Sequence, residues 1–310
     1  MNNDFAVLVI AYKRPDALKH LLSKISASHA SSVYLALDAP KAEEDKKLNA
    51  ECVEIITEWE KSYPGKIHKK FATQNLGCSI SVIEACKWVF GSENYVAILE
   101  DDCVPGDGFF ELVGDARTHI ERNSDLIMVC GTQFAPTSIT NNRWSISKYP
   151  MIWGWATTKS NWLLIQNFFE SDKPADLPKH DLPLTDYSYW HAGARRGLEG
   201  FVDAWDTPLA FFMQEYGLRA ILPGQNLVTN IGDDEVATHT READTWIRTN
   251  LGDYVPNYSS PAENQKVDRW IRTKFYRISI RHIVTTKITL LLDRTRINKQ
   301  KRSNLRYYFK

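Results

Sequence analysis

The chain has 310 residues, of which 43% are hydrophobic and 25% charged, and its 38 basic side chains balance 38 acidic ones. This apolar content supports a sizeable core and indicates one large domain or two closely packed ones. No window approaches the about 20 apolar residues that a membrane-spanning helix needs, and the first fifteen residues lack the basic start and long apolar run of a secretory signal.

The cysteines are scattered and form no C-x-x-C pair. They are Cys52, Cys78, Cys86, Cys103 and Cys130. Their odd number and spacing favour neither a disulfide framework nor a zinc site. The pattern fits a reducing compartment, so we expect a cytoplasmic protein.

Strands and helices alternate along residues 1–124. Apolar runs predict strands at FAVLVIAY (5–12), SVYLALD (32–38) and NYVAILE (94–100), and KIHKKFATQN (66–75) resembles a further strand. Helical spacing in the intervening segments implies right-handed crossovers. We therefore predict an α/β fold with a Rossmann-like, mostly parallel sheet flanked by helices, and ligands at the carboxyl ends of its strands.

The second half, residues 125–262, is predicted to add an acceptor-side half to the same sheet. DLIMVCGTQF (125–134) has the composition of a further strand, and a tryptophan-rich segment surrounds Gly154. Residues 201–240 mix a helix, a strand and a polar loop. Residues 125–262 are therefore not expected to form an independent domain.

Three carboxylates, Glu100, Asp101 and Asp102, directly follow the apolar run YVAIL. Adjacent like charges stay ionised together only when a cation or several donors compensate them. Mg²⁺ or Mn²⁺ does this best, because it takes one or two protein carboxylates and fills its other positions with water and phosphate oxygens. An ion of this kind would make a bound diphosphate a better leaving group. The alternative, an acid capping the helix predicted at 108–120, explains one carboxylate and not three.

Other phosphate-binding motifs are missing from the sequence. It contains neither G-x-x-x-x-G-K-[ST] nor G-x-G-x-x-G, which disfavours nucleoside triphosphatases and dinucleotide enzymes. DDCVPGDG lacks the alternating acids and the final glutamate of an EF-hand.

Four segments in order, VLVIAYKRPDAL, LALD, NLGCSISVIEA and AILEDDCVPGDGFF, resemble the nucleotide-sugar half of GT-A glycosyltransferases over roughly residues 5–115. The acidic triplet with its downstream FF is most similar to N-acetylglucosaminyltransferase I and its bacterial relatives, and QNLGCS is similar to the N-x-G turn of family 2 enzymes. YPMIWGWATTKSNW and DAWD resemble, more loosely, the Pro-Gly-x-Gly-Trp and Trp-Asp-Asp segments of the former. QNLVTNIG and ATHT resemble bacterial transferases of surface polysaccharide synthesis. The family's Trp-Asp-Asp is Trp-Asp-Thr here.

The resemblance implies a metal-dependent, inverting transferase with Mn²⁺ or Mg²⁺ as cofactor. Its donor would be a nucleotide-diphosphate sugar, with a UDP-sugar favoured, and its acceptor a glycan or lipid-linked saccharide. The last acid of the triplet, Asp102, would hold the metal. Asp101 would bind the ribose or the metal's waters, and Glu100 the sugar or a further water.

Four more residues at strand ends are candidates for donor binding. Asp38 is placed to accept from the nucleobase or ribose, or else begins a turn. Arg14 would bind the pyrophosphate through two guanidinium N–H groups, or lie on the surface. Asn75 and Gly77 predict a tight turn that either lets the backbone approach the nucleotide or is purely structural.

On the acceptor side, Asp206 is the proposed general base, and Asp203 is the second candidate; an N-cap is the alternative for Asp206. Trp153 and Trp155 would form a wall against a sugar face, or else pack in the core. His239 in ATHT could reach the diphosphate or the metal, although a lone histidine usually does neither.

Residues 263–310 are predicted to form a basic C-terminal extension. From Arg269 to Lys310 there are 13 Lys and Arg residues and one acid, Asp293. The mixture of apolar and basic residues is typical of an interfacial segment, so we expect contact with an anionic membrane surface on the inner leaflet. The β-branched content weakens the prediction of a helix. The alternatives are a helix packed on the domain with a solvated basic face, and RNA binding; nucleic acid is disfavoured because no stacking module is apparent.

Two other functions compete with sugar transfer. A sugar-nucleotide nucleotidyltransferase would carry a glycine-rich, arginine-containing loop after the first strand, where this chain has YKRPDAL. A catalytically degenerate GT-A module would bind glycan without turnover.

Overall fold

Strands and helices alternate over residues 6–100, as the sequence predicts. The computed structural model describes residues 5–171, 177–232, 251–256 and 261–296. The strands in these ranges are β1 Ala6–Ala11, β2 Ser32–Leu37, β3 Lys66–Phe71, β4 Tyr95–Glu100, β5 Cys103–Pro105, β6 Leu126–Cys130, β7 Ser145–Ser147, β8 Trp155–Thr158, β9 Arg219–Leu222, β10 Val228–Asn230 and β11 Ala262–Glu263. The helices are α1 Pro15–Ile25, α2 Asp45–Glu60, α3 Cys78–Phe90, α4 Gly108–Arg122, α5 Thr137–Thr140, α6 Lys159–Ser171, α7 Leu184–Leu198, α8 Asp206–Glu215, α9 Gln265–Trp270 and α10 Ile280–Arg296, with a π-helical turn at Ile271–Phe275.

A nine-stranded sheet in the order β11-β7-β9-β6-β8-β4-β1-β2-β3 forms the centre of the molecule. Strands β3, β2, β1 and β4 are parallel, as are β6 with β9 and β7 with β11. Strand β8 runs antiparallel between β4 and β6, and β7 runs antiparallel to β9. The predicted α/β class with a mostly parallel sheet is confirmed. The sheet takes strands from both sides of residue 125, and the three proposed domain boundaries stay predictions.

Strand β1 is buried on both faces because its residues alternate between two hydrophobic clusters. Leu8 and Ile10 pack with α3, α6 and α8 on one face of the sheet. Val7 and Val9 pack with α1, α2 and α4 on the other. Each fully buried side chain of this kind contributes about 1.5–3 kcal/mol, so the carboxyl end of β1 is firmly positioned.

The strand order reverses at β1, which lies between β2 and β4. In open α/β sheets, such a switch point leaves a crevice outside the carboxyl ends of the two neighbouring strands. The acidic triplet ends β4 at this point, and Arg14 follows β1. The topology therefore places these residues where a ligand is expected.

The C-terminal extension begins at the sheet edge, where β11 pairs with β7. Its α10 is a helix despite its β-branched content, because Ile283 and Leu290 are buried, α10 packs against α7, and tertiary packing overrides propensity. Thr285 and Thr289 also donate their hydroxyls to carbonyls one turn earlier, which threonine can do in helices. Among the described helices, none combines the length and apolar character needed to cross a bilayer.

Candidate active site

A pocket of about 150 Å³ lies at the carboxyl ends of β1, β2 and β4. It brings together seven of the residues predicted for the site: Arg14, Asp38, Asn75, Gly77, Glu100, Asp101 and Asp203. The volume is below the ~300–1,000 Å³ of typical small-molecule sites. The pocket would therefore enclose part of a large ligand and leave the rest at its mouth.

One guanidinium nitrogen bridges two carboxylates of the acidic triplet. Arg14 Nη1 lies 3.1 Å from Asp101 Oδ1 and 3.1 Å from Asp102 Oδ2. The other oxygen of Asp101 accepts from the Tyr12 backbone N–H at 2.9 Å. The Arg14 charge therefore compensates part of the triplet's charge, and its pairing with a pyrophosphate stays a prediction.

The triplet still carries more negative charge than Arg14 neutralises. Burial raises the pKa of Glu100 to about 8, and the charges of Asp102 and Asp101 add to the effect. Burial also raises the pKa of Asp101 to about 6, with Asp102 adding and Arg14 opposing. A further cation at this corner would lower both pKa values by favouring the ionised carboxylates.

The donor set fits a hard divalent ion shared with a ligand. Within the described ranges, no group of three or more His, Cys, Asp or Glu residues is arranged to hold a metal. Mg²⁺ usually takes only one or two protein carboxylates and completes its shell with water and substrate phosphates. Asp102 is the more accessible ligand, since its side chain is 14% exposed against 5% for Asp101. His239, the second predicted ligand, lies outside the described residues.

The two residues after β10 lie against Asp102, which the sequence interpretation missed. Ile231 donates its backbone N–H to the Asp102 carbonyl at 2.9 Å. A Cβ atom built on Gly232 would lie 2.3 Å from Asp102 Oδ2. A larger residue at this position would press on the carboxylate, and the sequence signal was the NIG that begins at the last residue of β10.

Asp38 organises the turn before α3. Its carboxylate accepts from the backbone N–H groups of Ala39, Leu76 and Gly77 at 2.8–3.2 Å, and from Asn75 Nδ2 at 3.0 Å. These bonds fill its acceptor capacity, so the predicted contact with a nucleobase or ribose gives way to a structural role. Asn75 belongs to the same network, and Gly77 supplies the positive φ of +79° that the turn needs.

Asp203 continues this arrangement from the other half of the chain. Its two oxygens accept from the backbone N–H groups of Cys78 and Ser79, each at 2.8 Å. These are among the first amides of α3, which have no partner inside the helix. A Cβ on Gly77 would lie 2.6 Å from Asp203 Oδ2. Asp203 is thus occupied as a helix cap, which weakens it as a candidate base.

We expect Asp203→Ala to lower the free energy of unfolding by about 0.5–2 kcal/mol, the usual cost of losing a helix cap. Asp203→Asn keeps an oxygen acceptor and should cost less. Turnover of the asparagine variant should stay within about tenfold of the wild type, because general-base catalysis is worth about 10²–10⁴-fold. Urea unfolding and initial rates check both points; a thousandfold slower asparagine variant would make Asp203 the base.

Asp206 begins α8 beside the acidic triplet. Its side chain is exposed, and Oδ1 accepts from the backbone N–H of its neighbour Thr207 at 2.7 Å. An N-cap accepts from residues two or three positions further on, so Asp206 does not act as one. Its charge adds to burial in raising the pKa of Tyr276, and it also contributes to the raised pKa of Glu100. Asp206 is therefore near enough to Glu100 for its charge to act on that carboxyl, and it keeps accessible lone pairs.

The two tryptophans predicted to line an acceptor site differ in burial. Trp155 is 1% exposed, and its ring centroid lies 5.6 Å from that of Trp205. Strand β8 holds it inside the sheet core, so the core-packing alternative applies to Trp155 and its side chain does not form a wall against a sugar. Trp153 is half-buried and packs edge-on against Phe134, so it stays a candidate.

Several pocket residues were not predicted from the sequence. They are Tyr12, Lys41, Cys78, Ser81 and the apolar Ile10, Ala11 and Val82. Lys41 is exposed and makes no ion pair within the described part of the chain, so its charge is available to an anionic ligand. The sequence feature that could have indicated Lys41 is a basic residue directly after the Asp-Ala-Pro segment that follows β2.

The metal-free protein should gain stability from Glu100 as the pH falls from about 8 towards 5. The pKa of Glu100 is about 8 in the folded chain and 4.5 in the reference state, so between these values the folded state binds more protons than the unfolded state. Since one pKa unit corresponds to about 1.4 kcal/mol, we expect a gain on the order of a few kcal/mol. Urea unfolding at pH 5.5 and 8 measures it.

The matched variant for this prediction is Glu100→Gln, which removes the titrating charge. Its stability should change less between the two pH values than that of the wild type. Asp107→Asn, at an exposed acid (94% side-chain exposure), should keep the wild-type slope. Equal slopes for wild type and Glu100→Gln would show that Glu100 is not protonated near neutral pH.

Comparison with known proteins finds similarity in structure and none in sequence. No protein-family model and no curated protein matches the chain significantly. The mannosyltransferase PcManGT from Pyrobaculum calidifontis, solved with GDP-Man and Mn²⁺, aligns with 98% of this chain and 84% of its own at 12% identity and a TM-score of 0.47.

Two further solved structures align over much of the chain. The 4-diphosphocytidyl-2C-methyl-D-erythritol synthase from Anaerococcus prevotii DSM 20548 covers 79% of this chain and 96% of its own at 11% identity and a TM-score of 0.37. A UDP-glucose pyrophosphorylase complexed with UDP-glucose covers 73% and 92% at 7% identity and a TM-score of 0.37. These values do not assign the chain to a family.

Proposed function

We propose that the protein is a metal-dependent, inverting glycosyltransferase of the GT-A type. It moves a sugar from a nucleotide-diphosphate sugar, with a UDP-sugar favoured, to a hydroxyl of a glycan or lipid-linked saccharide in surface polysaccharide synthesis. One observation supports this above the others: an acidic triplet with uncompensated charge ends β4 at the switch point of the sheet, beside Asp206. The free state of all five cysteines accords with a cytoplasmic location.

Asp102 is proposed to hold Mn²⁺ or Mg²⁺ when the donor's diphosphate is bound. Such an ion, when bound, would neutralise charge on the leaving diphosphate. Lys41 can add a cationic contact because its charge is not used by a described carboxylate. Asp38 and Asp203 would act indirectly, by holding the turn that forms one wall of the pocket.

Asp206 is proposed to act as the general base. Its carboxylate would take the proton of the acceptor hydroxyl as that oxygen bonds to the anomeric carbon. The bond from the anomeric carbon to the diphosphate breaks at the same time, and the leaving nucleoside diphosphate keeps the electron pair. Attack from the face opposite to the leaving group inverts the anomeric configuration.

A panel of nucleotide sugars incubated with purified protein and Mn²⁺ tests this proposal. Release of nucleoside diphosphate, increased by an oligosaccharide or lipid-linked acceptor, would support sugar transfer. Pyrophosphate release from a nucleoside triphosphate and a sugar phosphate would indicate a nucleotidyltransferase. Glycan binding without turnover of any donor would indicate the degenerate module.

A further inference from the structure

Helix α10 exposes a row of apolar side chains on the side away from its buried face. Ile283 and Leu290, which face the body, are 9% and 7% exposed. Five large apolar residues are 44–77% exposed: Ile280, Val284, Ile288, Leu291 and Leu292. Their spacing places them on one side of the helix. We call these five residues the α10 stripe; an exposed apolar surface of this kind marks an interaction site.

Basic side chains accompany the stripe. Arg281 and Lys287 of α10 are exposed, and neither forms an ion pair within the described part of the chain. Lys274, in the preceding turn, is also exposed and makes no such pair. The acid Asp293 does not offset them, because Arg196 of α7 holds it at 2.8 Å. The exposed side of α10 is therefore both apolar and positively charged.

We propose that α10 lies on an anionic bilayer, with the α10 stripe inserted between headgroups and acyl chains. Helices with an apolar face flanked by Lys and Arg bind membrane interfaces in this way, and anionic lipids strengthen the binding. A second copy of the chain is a weaker candidate, because a two-fold contact through this face would oppose each Arg281 and Lys287 to cations of the other copy. The bilayer supplies both an apolar layer and the negative charge.

This docking does not depend on the proposed enzymatic activity, but it has a consequence for the acceptor. Thr286 of α10 lines a cavity of about 200 Å³ together with Tyr189 and Thr207. Thr207 is the neighbour of Asp206, the proposed base. A bilayer-bound α10 would therefore bring this cavity close to the lipid headgroups, which favours a lipid-linked saccharide over a free glycan.

Vesicle co-sedimentation tests the docking, without donor or metal. The full chain is mixed with phosphatidylcholine vesicles, or with vesicles that also contain phosphatidylglycerol. We expect binding to the anionic vesicles that weakens as salt is raised. The double variant Ile288→Ser/Leu291→Ser should bind at least about tenfold more weakly, because each residue withdraws a large apolar side chain from the bilayer. Arg281→Gln/Lys287→Gln should reduce only the preference for anionic lipid, by about fivefold per charge.

Leu163→Ser is the matched control, because Leu163 of α6 is 51% exposed and lies outside the stripe. It should bind vesicles like the wild type. Thermal unfolding and the affinity for UDP should be unchanged in the stripe variant, which separates loss of docking from loss of the donor site. Equal vesicle binding by wild type and stripe variant would overturn the proposal. A dimer in light scattering that the stripe variant dissociates would also overturn it in favour of self-association.

Discussion

Replacing Asp102 with asparagine should weaken Mn²⁺-dependent binding of a nucleoside diphosphate by about 10²–10³-fold. Removing one partner of a buried ion pair costs about 3–5 kcal/mol. We expect the lower part of this range because the Asp102 side chain is 14% exposed, and each 1.4 kcal/mol is tenfold in affinity. Asparagine keeps the shape of the side chain and removes its charge. Calorimetric titration of UDP with and without Mn²⁺ measures the Mn²⁺-dependent part of the affinity. In the wild type, this part should be lost when the ion is chelated.

Asp107→Asn is the control for Asp102→Asn. Asp107 lies five residues further along, and its side chain is 94% exposed. This variant should bind UDP and Mn²⁺ like the wild type. Unchanged Mn²⁺-dependent binding in Asp102→Asn would show that the ion is held by other residues, and the proposed metal site would fail.

Replacing Asp206 with asparagine should lower kcat by about 10²–10⁴-fold, the usual contribution of a general base. Donor affinity should stay close to that of the wild type, since Asp206 lies outside the donor pocket. The folded state should also be little changed, because the side chain is exposed and its hydrogen bonds within the described chain are to Thr207. Initial rates at saturating donor, together with UDP titration, separate the two effects.

The outcome that would contradict this role is a fall of less than tenfold in kcat. The inversion of configuration can be tested independently by the anomeric analysis of the product. A retained anomeric configuration would leave Asp206 without its proposed function even if the variant were slow.

Predictions from the sequence agreed with the structure where a residue pattern has a single physical explanation, such as burial of an apolar run on both faces of a sheet. Continuous apolar runs have to be buried on both faces, and those at 5–12, 32–38 and 94–100 became β1, β2 and β4. The carboxyl ends of parallel strands meet at one sheet edge. The pocket consequently contains Arg14, Asp38, Glu100 and Asp101, although these residues are far apart in the chain.

The sequence could not decide the role of a side chain where that role depends on its hydrogen-bond partner. Asp38 and Asp203 are acidic residues at positions where ligand-binding acids are expected. Only the fold shows that their carboxylates accept hydrogen bonds from backbone N–H groups of residues 76–79. Trp155 could not be told from Trp153 by the Trp-Gly-Trp pattern. Helix α7 was missed because its sequence mixes glycine and aromatic residues, and packing against α8 and α10 stabilises it.

The antiparallel strand β8 has a consequence for how the chain can be cut. It covers one side of β4, whose residues Tyr95–Leu99 are fully buried. A fragment ending at residue 124 would lack β8 and leave β4 as an exposed apolar edge strand with unpaired backbone N–H and C=O groups. Such an edge is a template for intermolecular strand addition and aggregation. Residues 1–124 are thus not expected to remain folded and unaggregated as a separate fragment.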